Sequence, residues 1–240
     1  MNKQRLSKVL AAAGVASRRA CEKLIFDGLV QVNQQTVLVP QTLVNENVDK
    51  ISVRGEFIHK KEAKVYYLLN KPEGYVCTSK RMGQTKIVLD LFKEESSRLF
   101  TVGRLDKDTG GLLLVTNDGH FANQVIHPSA NIHKEYLVKT DQEISHDHLI
   151  AIGHGTLVEG AFVKPIRVTK VRRGTLKVVI GEGKKREVRL LLDAAGLKIE
   201  SLTRIRVGNL TLGELAPGAW RPLTEKDKKM LFEGGKDEAK

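Results

Sequence analysis

Apolar positions in the first sixty residues follow two periods in turn. Leu6, Val9, Leu10 and Ala13 recur at i, i+3, i+4 and i+7, one face of a short helix that Gly14 stops. Ser17 suits the N-cap of a second helix. In it Ala20, Cys21, Leu24 and Ile25 form the buried stripe, and Gly28 ends it. The period then changes to two. Leu29-Val30-Gln31-Val32-Asn33 alternates as a strand, a polar turn follows at Gln34 and Gln35, and a strand near Ile51 and Val53 closes a module over residues 1–59.

The charged run His59-Lys60-Lys61-Glu62-Ala63-Lys64 predicts a linker, placed at 60–63. From 64 to 224 the pattern is dominated by short apolar strands, at Val65–Leu69, Leu112–Val115, Tyr136–Lys139, Val163–Val171, Leu176–Ile180 and Ile205–Leu210. Helical periodicity is confined to Phe121–Ile126, His148–Gly153 and Arg186–Ala195. Many strands with few helices predict an α+β domain built on a mixed, largely antiparallel sheet. Residues 225–240 read as a charged, flexible tail.

Composition narrows the partners. Lys and Arg number 40 against 28 Asp and Glu, a net charge of +12, while 41% hydrophobic residues support packed cores. A basic excess attracts polyanions, and nucleic acid is the commonest of these for a soluble protein; a charge serving solubility alone is the plainer alternative. No apolar stretch approaches the roughly 20 residues that span a bilayer. Met1-Asn2-Lys3-Gln4-Arg5 lacks an apolar signal core, so a cytoplasmic location without membrane attachment is expected. Cys21 and Cys77 form no C-x-x-C pair and are expected as free thiols. His146-Asp147-His148 is expected as a solvated loop and no metal site is expected, while Trp220 reads as a packing residue.

The run Gly103-Arg104-Leu105-Asp106-Lys107-Asp108-Thr109-Gly110-Gly111-Leu112-Leu113-Leu114-Val115-Thr116-Asn117-Asp118-Gly119 sets an aspartate on a glycine-bounded loop directly before a rigid apolar strand. By itself Asp106 admits three readings: a turn residue, the opening of a calcium loop, or a nucleophile. The calcium reading fails on spacing, because Gly110 and Asn117 stand where that loop needs acids. On these residues alone the turn reading prevails over the nucleophile.

Three further segments complete a pattern: Leu69-Asn70-Lys71-Pro72 with Gly74, Lys134-Glu135-Tyr136-Leu137-Val138, and Glu182-Gly183-Lys184-Lys185-Arg186-Glu187-Val188-Arg189. With the aspartate run, these four segments in this order resemble the pseudouridine synthases that modify ribosomal RNA. The leading module, with Arg18-Arg19 opening its second helix and Gly-Leu-Val-x-Val-Asn after it, resembles the S4 RNA-binding domain. The likeness covers nearly the whole chain. It is closest to the bacterial branch that carries an S4 domain, and within that branch to the large-subunit type. Two departures weaken the last point: Lys185 stands where asparagine is frequent, and Leu190 replaces a usual second arginine.

The resemblance implies an enzyme that turns one uridine of ribosomal RNA into pseudouridine, as naked RNA or in an assembling particle, acting as a monomer. It implies no cofactor, since the isomerisation adds and removes no group, and the chain has neither a P-loop nor a dinucleotide fingerprint. It makes Asp106 the nucleophile, Tyr136 the ring that stacks on the flipped uracil, and Arg189 the guanidinium paired with Asp106. An arginine fork suits a carboxylate that burial would otherwise tend to neutralise. Arg104, Lys184, Lys185 and Arg186 are expected on RNA, with Arg104 a candidate for the gap left by the flipped base. In the S4-like module Arg5 and Lys8, one turn apart on the first helix, and Arg18, Arg19 and Lys23 on the second are expected to track phosphates. Rival readings are a non-catalytic RNA-binding or ribosome-assembly protein, and a synthase acting on another structured RNA.

Overall fold

The computed structural model describes residues 3–58, 63–79, 81 and 83–233. The chain divides into two compact units. One runs up to Val65 and takes in Ser96–Arg98 and Asn117–Gly119, and the other holds the remainder. Of the expected linker only Ala63 lies among the described residues, and residues 234–240 of the expected tail lie outside them.

In the small unit β1 (Gln4–Arg5) leads into α1 (Leu6–Ala12), and α2 (Arg18–Phe26) follows. The Ser17 hydroxyl accepts from the Ala20 N–H at 3.2 Å and so caps α2, while Gly28 leaves it at φ +71°. The strands β2 (Val30–Val32), β3 (Gln35–Thr36), β4 (Leu43–Val44), β5 (Ile51–Val53) and β6 (Glu56–Phe57) follow. They form an antiparallel sheet ordered β3-β2-β5-β6 and a separate β1-β4 pair. Leu6, Leu10, Cys21, Ile25, Val30 and Ile51 fill its core. Arg5 differs from expectation: it sits before the helix, because its extended backbone (φ −61°, ψ 134°) pairs with Leu43 across the β1-β4 ladder.

The larger unit is organised by a nine-stranded sheet. Its elements are β7 (Tyr66–Lys71), β8 (Phe100–Val102), β9 (Gly110–Thr116), α3 (Gly119–Ile126), β10 (Lys134–Thr140), α4 (His146–His154), β11 (Thr156–Val158), β12 (Ala161–Val163), β13 (Arg167–Arg172), β14 (Thr175–Ile180), α5 (Glu187–Ala194), β15 (Ile199–Val207), β16 (Leu210–Thr211), β17 (Trp220–Pro222) and α6 (Glu225–Glu233). Strand order is β13-β14-β10-β15-β9-β7-β17, with β8 on β9 and β16 on β15. Pairing is antiparallel except between β15 and β9, where Thr203 faces Gly110 and Arg204 faces Gly111. All seven residues of β9 are buried, which explains why its apolar run is continuous where a half-exposed strand would alternate. Leu112 and Leu114 pack with Leu68, Phe121, Val125 and Leu231 into one core.

Three expectations are corrected. The strand expected over Val163–Val171 is two, β12 and β13, since Pro165 has no N–H for a ladder. His146, Asp147 and His148 open α4 and are not a loop; Ser145 caps that helix and the His148 ring returns the contact to the Ser145 N–H. Residues 225–233 of the expected tail form α6. It is pinned by Asp227, whose carboxylate takes both arms of Arg221 at 2.6 and 3.1 Å and the N–H and hydroxyl of Thr224, and by the fully buried Leu231.

Trp220 packs as expected, stacked on Phe92 with ring centroids 4.9 Å apart, its indole N–H on the Leu91 carbonyl. Cys21 is buried and Cys77 partly so, both as free thiols. Among the described residues no helix is long and apolar enough to cross a membrane.

Candidate active site

The glycine-bounded loop between β8 and β9 is built from below by a lysine. Lys71 ends β7 with 1% of its surface exposed, and its ammonium donates to the carbonyls of Thr109 (2.8 Å), Asp106 (3.1 Å) and Pro72 (3.1 Å). Burial pushes its pKa down, opposed by Cys77, Glu73, Asp108 and Asp106. The loop is tightened further by Thr109 N–H on the Asp106 carbonyl and Gly74 N–H on the Lys107 carbonyl. The Leu105 N–H rests on the Cys77 sulfur at 3.4 Å, and burial pushes that thiol's pKa up. With its backbone held on all sides, the Asp106 carboxylate is left 34% exposed on the wall of a cleft of about 650 Å³. That volume suits a nucleotide-sized ligand.

Tyr136 enters the same cleft from β10, where it faces Val178 on one neighbouring strand and Arg204 on the other; it is 8% exposed. Arg189 enters from α5. Its Nη2 donates to the Asp108 carbonyl at 2.7 Å and the Thr109 hydroxyl at 3.2 Å, and lies 3.1 Å from the Asp108 carboxylate. Its Nε is buried without a hydrogen-bond partner. The pairing expected between Arg189 and Asp106 is therefore corrected. Arg189 clamps the Asp108–Thr109 backbone, two residues downstream, and the cation beside Asp106 is Arg186, with Nη1 at 4.0 Å from the Asp106 carboxylate and 3.8 Å from that of Asp108. The physical reason is reach: the 108–109 turn offers the Arg189 Nη2 a carbonyl, a hydroxyl and a carboxylate together.

Arg104, Lys184, Lys185 and Arg186 all line this cleft, Arg104 and Lys185 as exposed side chains and Lys184 paired with Glu182 at 3.3 Å. In the small unit Arg5, Lys8, Arg18, Arg19 and Lys23 are all exposed, with Arg18 paired to Glu22 at 3.5 Å.

Four polar residues join the site beyond those singled out from sequence. Besides Lys71, Lys134 lies two positions before Tyr136 and so on the same face of β10; its ammonium donates to the Gly181 carbonyl at 3.0 Å. Burial, with Arg204 next, pushes its pKa down to about 8. Arg204, 7% exposed, donates from Nε to the Leu112 carbonyl at 2.8 Å. Glu187, 4% exposed, accepts from the Lys184 N–H at 2.8 Å, and burial raises its pKa. Lys71 and Lys134 stood inside the motifs quoted for the resemblance, but only the fold shows which atoms they hold. Among the described residues no group of three His, Cys, Asp or Glu side chains is placed to hold a metal ion.

Comparison with known proteins identifies the family. The model of the RNA pseudouridylate synthase family matches residues 65–194, and that of the S4 domain matches residues 4–49. A protein of Bacillus subtilis (strain 168) named ribosomal large subunit pseudouridine synthase B is 37% identical over 234 residues, covering 95% of each chain. An uncharacterized RNA pseudouridine synthase of Aquifex aeolicus is 38% identical over 240 residues, covering 97% of this chain and 95% of the other. A putative chloroplastic ribosomal large subunit pseudouridine synthase of Arabidopsis thaliana is 45% identical over 248 residues. The match spans 95% of this chain and 60% of that longer protein. A crystal structure of a pseudouridylate synthase superposes with a TM-score of 0.69 at 28% identity, covering 95% of this chain and 99% of that one.

Proposed function

Because the chain belongs to the RNA pseudouridylate synthase family and carries an S4 domain ahead of its catalytic domain, we propose that it isomerises one specific uridine of ribosomal RNA, in the large subunit in preference to the small, with Asp106 as nucleophile. The observation that carries this reading is the meeting of Asp106 and Tyr136 in one cleft of about 650 Å³ whose rim is basic. The large-subunit preference rests on the relatives' names and on the Arg186-Glu187-Val188-Arg189 segment followed by leucines.

The chemistry asks little beyond what these side chains supply. The glycosidic bond breaks, the detached uracil turns, and carbon 5 takes the place of nitrogen 1 on the sugar; nothing is transferred to or from a second molecule. Asp106 supplies a carboxylate that attacks the nucleoside or stabilises positive charge on the ribose as the bond breaks. Lys71 and Arg189 both hold that carboxylate's loop, through the Asp106 and Asp108 carbonyls, which favours a fixed position when substrate arrives. Tyr136 offers a ring face to a base pulled from its stack, offsetting part of the lost stacking energy. The S4 unit grips flanking RNA through Arg5, Lys8, Arg18, Arg19 and Lys23, and a single chain, working in the cytoplasm on RNA or an assembling particle, suffices.

The test is a map of pseudouridine in both ribosomal RNAs from cells with the gene, without it, and with Asp106→Asn. One site in the large-subunit RNA should vanish in the second and third. An unchanged map without the gene removes the ribosomal target, and full modification by Asp106→Asn removes the nucleophile.

A further inference from the structure

Arg186 breaks two local rules at once. It occupies the N-cap of α5 with φ 56° and ψ 23°, the left-handed region that a side chain with a Cβ adopts only under constraint. It also provides no side-chain cap, and the neighbouring Glu187 accepts only from the Lys184 N–H, which lies outside the helix. Elsewhere on the cleft the non-glycine residue with positive φ is Asn131, a type that tolerates this geometry; Arg54, with φ 53° in the turn between β5 and β6, is the other described arginine that adopts it. The strained backbone sets the half-exposed guanidinium between two carboxylates, 4.0 Å from Asp106 and 3.8 Å from Asp108. A surface ion pair at such distances contributes little stability, so stability does not explain why the strain is kept.

We propose that Arg186 is a displaceable positioning residue: it bridges Asp106 and Asp108 in the free enzyme and passes to an RNA phosphate beside the target uridine when substrate enters. The inference rests on the proposed role of Asp106. Arg189 is poorly placed for this exchange, because its Nη2 is shared among the Asp108 carbonyl, the Thr109 hydroxyl and the Asp108 carboxylate and its side chain is only 14% exposed. Arg186 has the opposite character: its side chain is 47% exposed, and its partners are two carboxylates already served by other donors or open to the cleft. An arriving phosphate offers a guanidinium a bidentate partner, and its departure uncovers Asp106 as the nucleoside docks.

The test uses the full chain with Arg186→Gly, Arg186→Asn and Arg186→Lys. Glycine and asparagine both relieve the left-handed strain and suit an N-cap, so the thermal midpoint should hold or rise by about 2 °C. Pseudouridine formation on transcribed large-subunit ribosomal RNA should nevertheless fall about tenfold or more. For binding of a single-stranded oligouridylate, the slope of log affinity on log salt should shrink by about 0.7, one phosphate contact. Arg186→Lys should restore the slope but only part of the rate. Glycine and asparagine variants with wild-type rate and slope overturn the proposal. So does a lost rate accompanied by a lower thermal midpoint, which marks a merely structural role. If the wild type makes no pseudouridine in ribosomal RNA the target assignment fails instead, and the oligouridylate slopes still decide Arg186.

Discussion

The Lys71 ammonium lies 3.1 Å from the carbonyl of Asp106, so the residue proposed as nucleophile is held through its backbone by a charge buried beneath it. Burying an ammonium is costly unless every donor is used, and Lys71 uses its donors on Asp106, Thr109 and Pro72. Lys71→Met removes the common partner of three carbonyls and leaves them facing apolar carbon. It should lower stability by about 2–4 kcal/mol and pseudouridine formation by about a hundredfold or more. Chemical denaturation and single-turnover assays check both numbers. Native stability together with native rate would show that the loop holds itself.

Arg189 contacts the loop mainly through groups that survive a change at Asp108. Two of its three partners are the Asp108 carbonyl and the Thr109 hydroxyl. Arg189→Gln should therefore reduce kcat by about a hundredfold, whereas Asp108→Asn, which spares both, should cost tenfold or less. Combining the two should cost less than the product of their separate effects, since the carboxylate is idle once the guanidinium is gone. Equal losses in the two single variants would mean that the Asp108 carboxylate itself enters the chemistry.

Much of this was legible in the chain because it was written in periodicity. The continuous apolar run at Leu112–Val115 marks a strand, and Ser17 and Gly28 bound the second helix, as the structure has them. Pairings between charged groups were not legible. Arg186 and Arg189 are three residues apart and chemically alike, and the left-handed turn at Arg186 decides which of them sits beside Asp106. Helix α6 is hard to read because Leu231 anchors it from within a charged run, although the Thr224-x-x-Asp227 capping box at its start is a signal the chain carries. The role of the buried Lys71 is hidden for a related reason: two of its carbonyls lie 35 and 38 residues away along the chain.

Gly111 has no room for a side chain. Its φ is +102°, and a Cβ there would stand 2.2 Å from the Arg204 carbonyl oxygen on the parallel strand β15. Both atoms in conflict are held by the sheet, so neither can yield. Gly111→Ala should destabilise the catalytic domain by more than about 4 kcal/mol or prevent its folding, by combining overpacking with a disfavoured φ. Gly183→Ala is the control, because nothing lies within 4 Å of its Cβ position. Thermal melts of the two proteins should differ by about 10 °C or more; similar melts would mean that β15 can move away from β9.

Lys134 should make the protein more stable as the solution turns mildly alkaline. Its pKa is about 8 in the folded chain against 10.5 for an ordinary lysine, because burial and Arg204 disfavour its charge. Between those values the unfolded chain binds a proton that the folded one does not, so unfolding becomes harder as pH rises, by at most about 1.4 kcal/mol per pH unit. Below pH 8 both states are protonated and the full cost of the buried charge is present. Tyr67, whose pKa is pushed up to about 12 chiefly by burial and then by its hydrogen bond to Glu95, acts in the opposite sense only above about pH 10. The window for Lys134 is therefore pH 8 to 10. The decisive quantity is the difference between wild type and Lys134→Met, which cancels groups common to both. Wild type should gain on the variant across this window, and parallel stability curves would show that the ammonium is as well solvated in the cleft as in water.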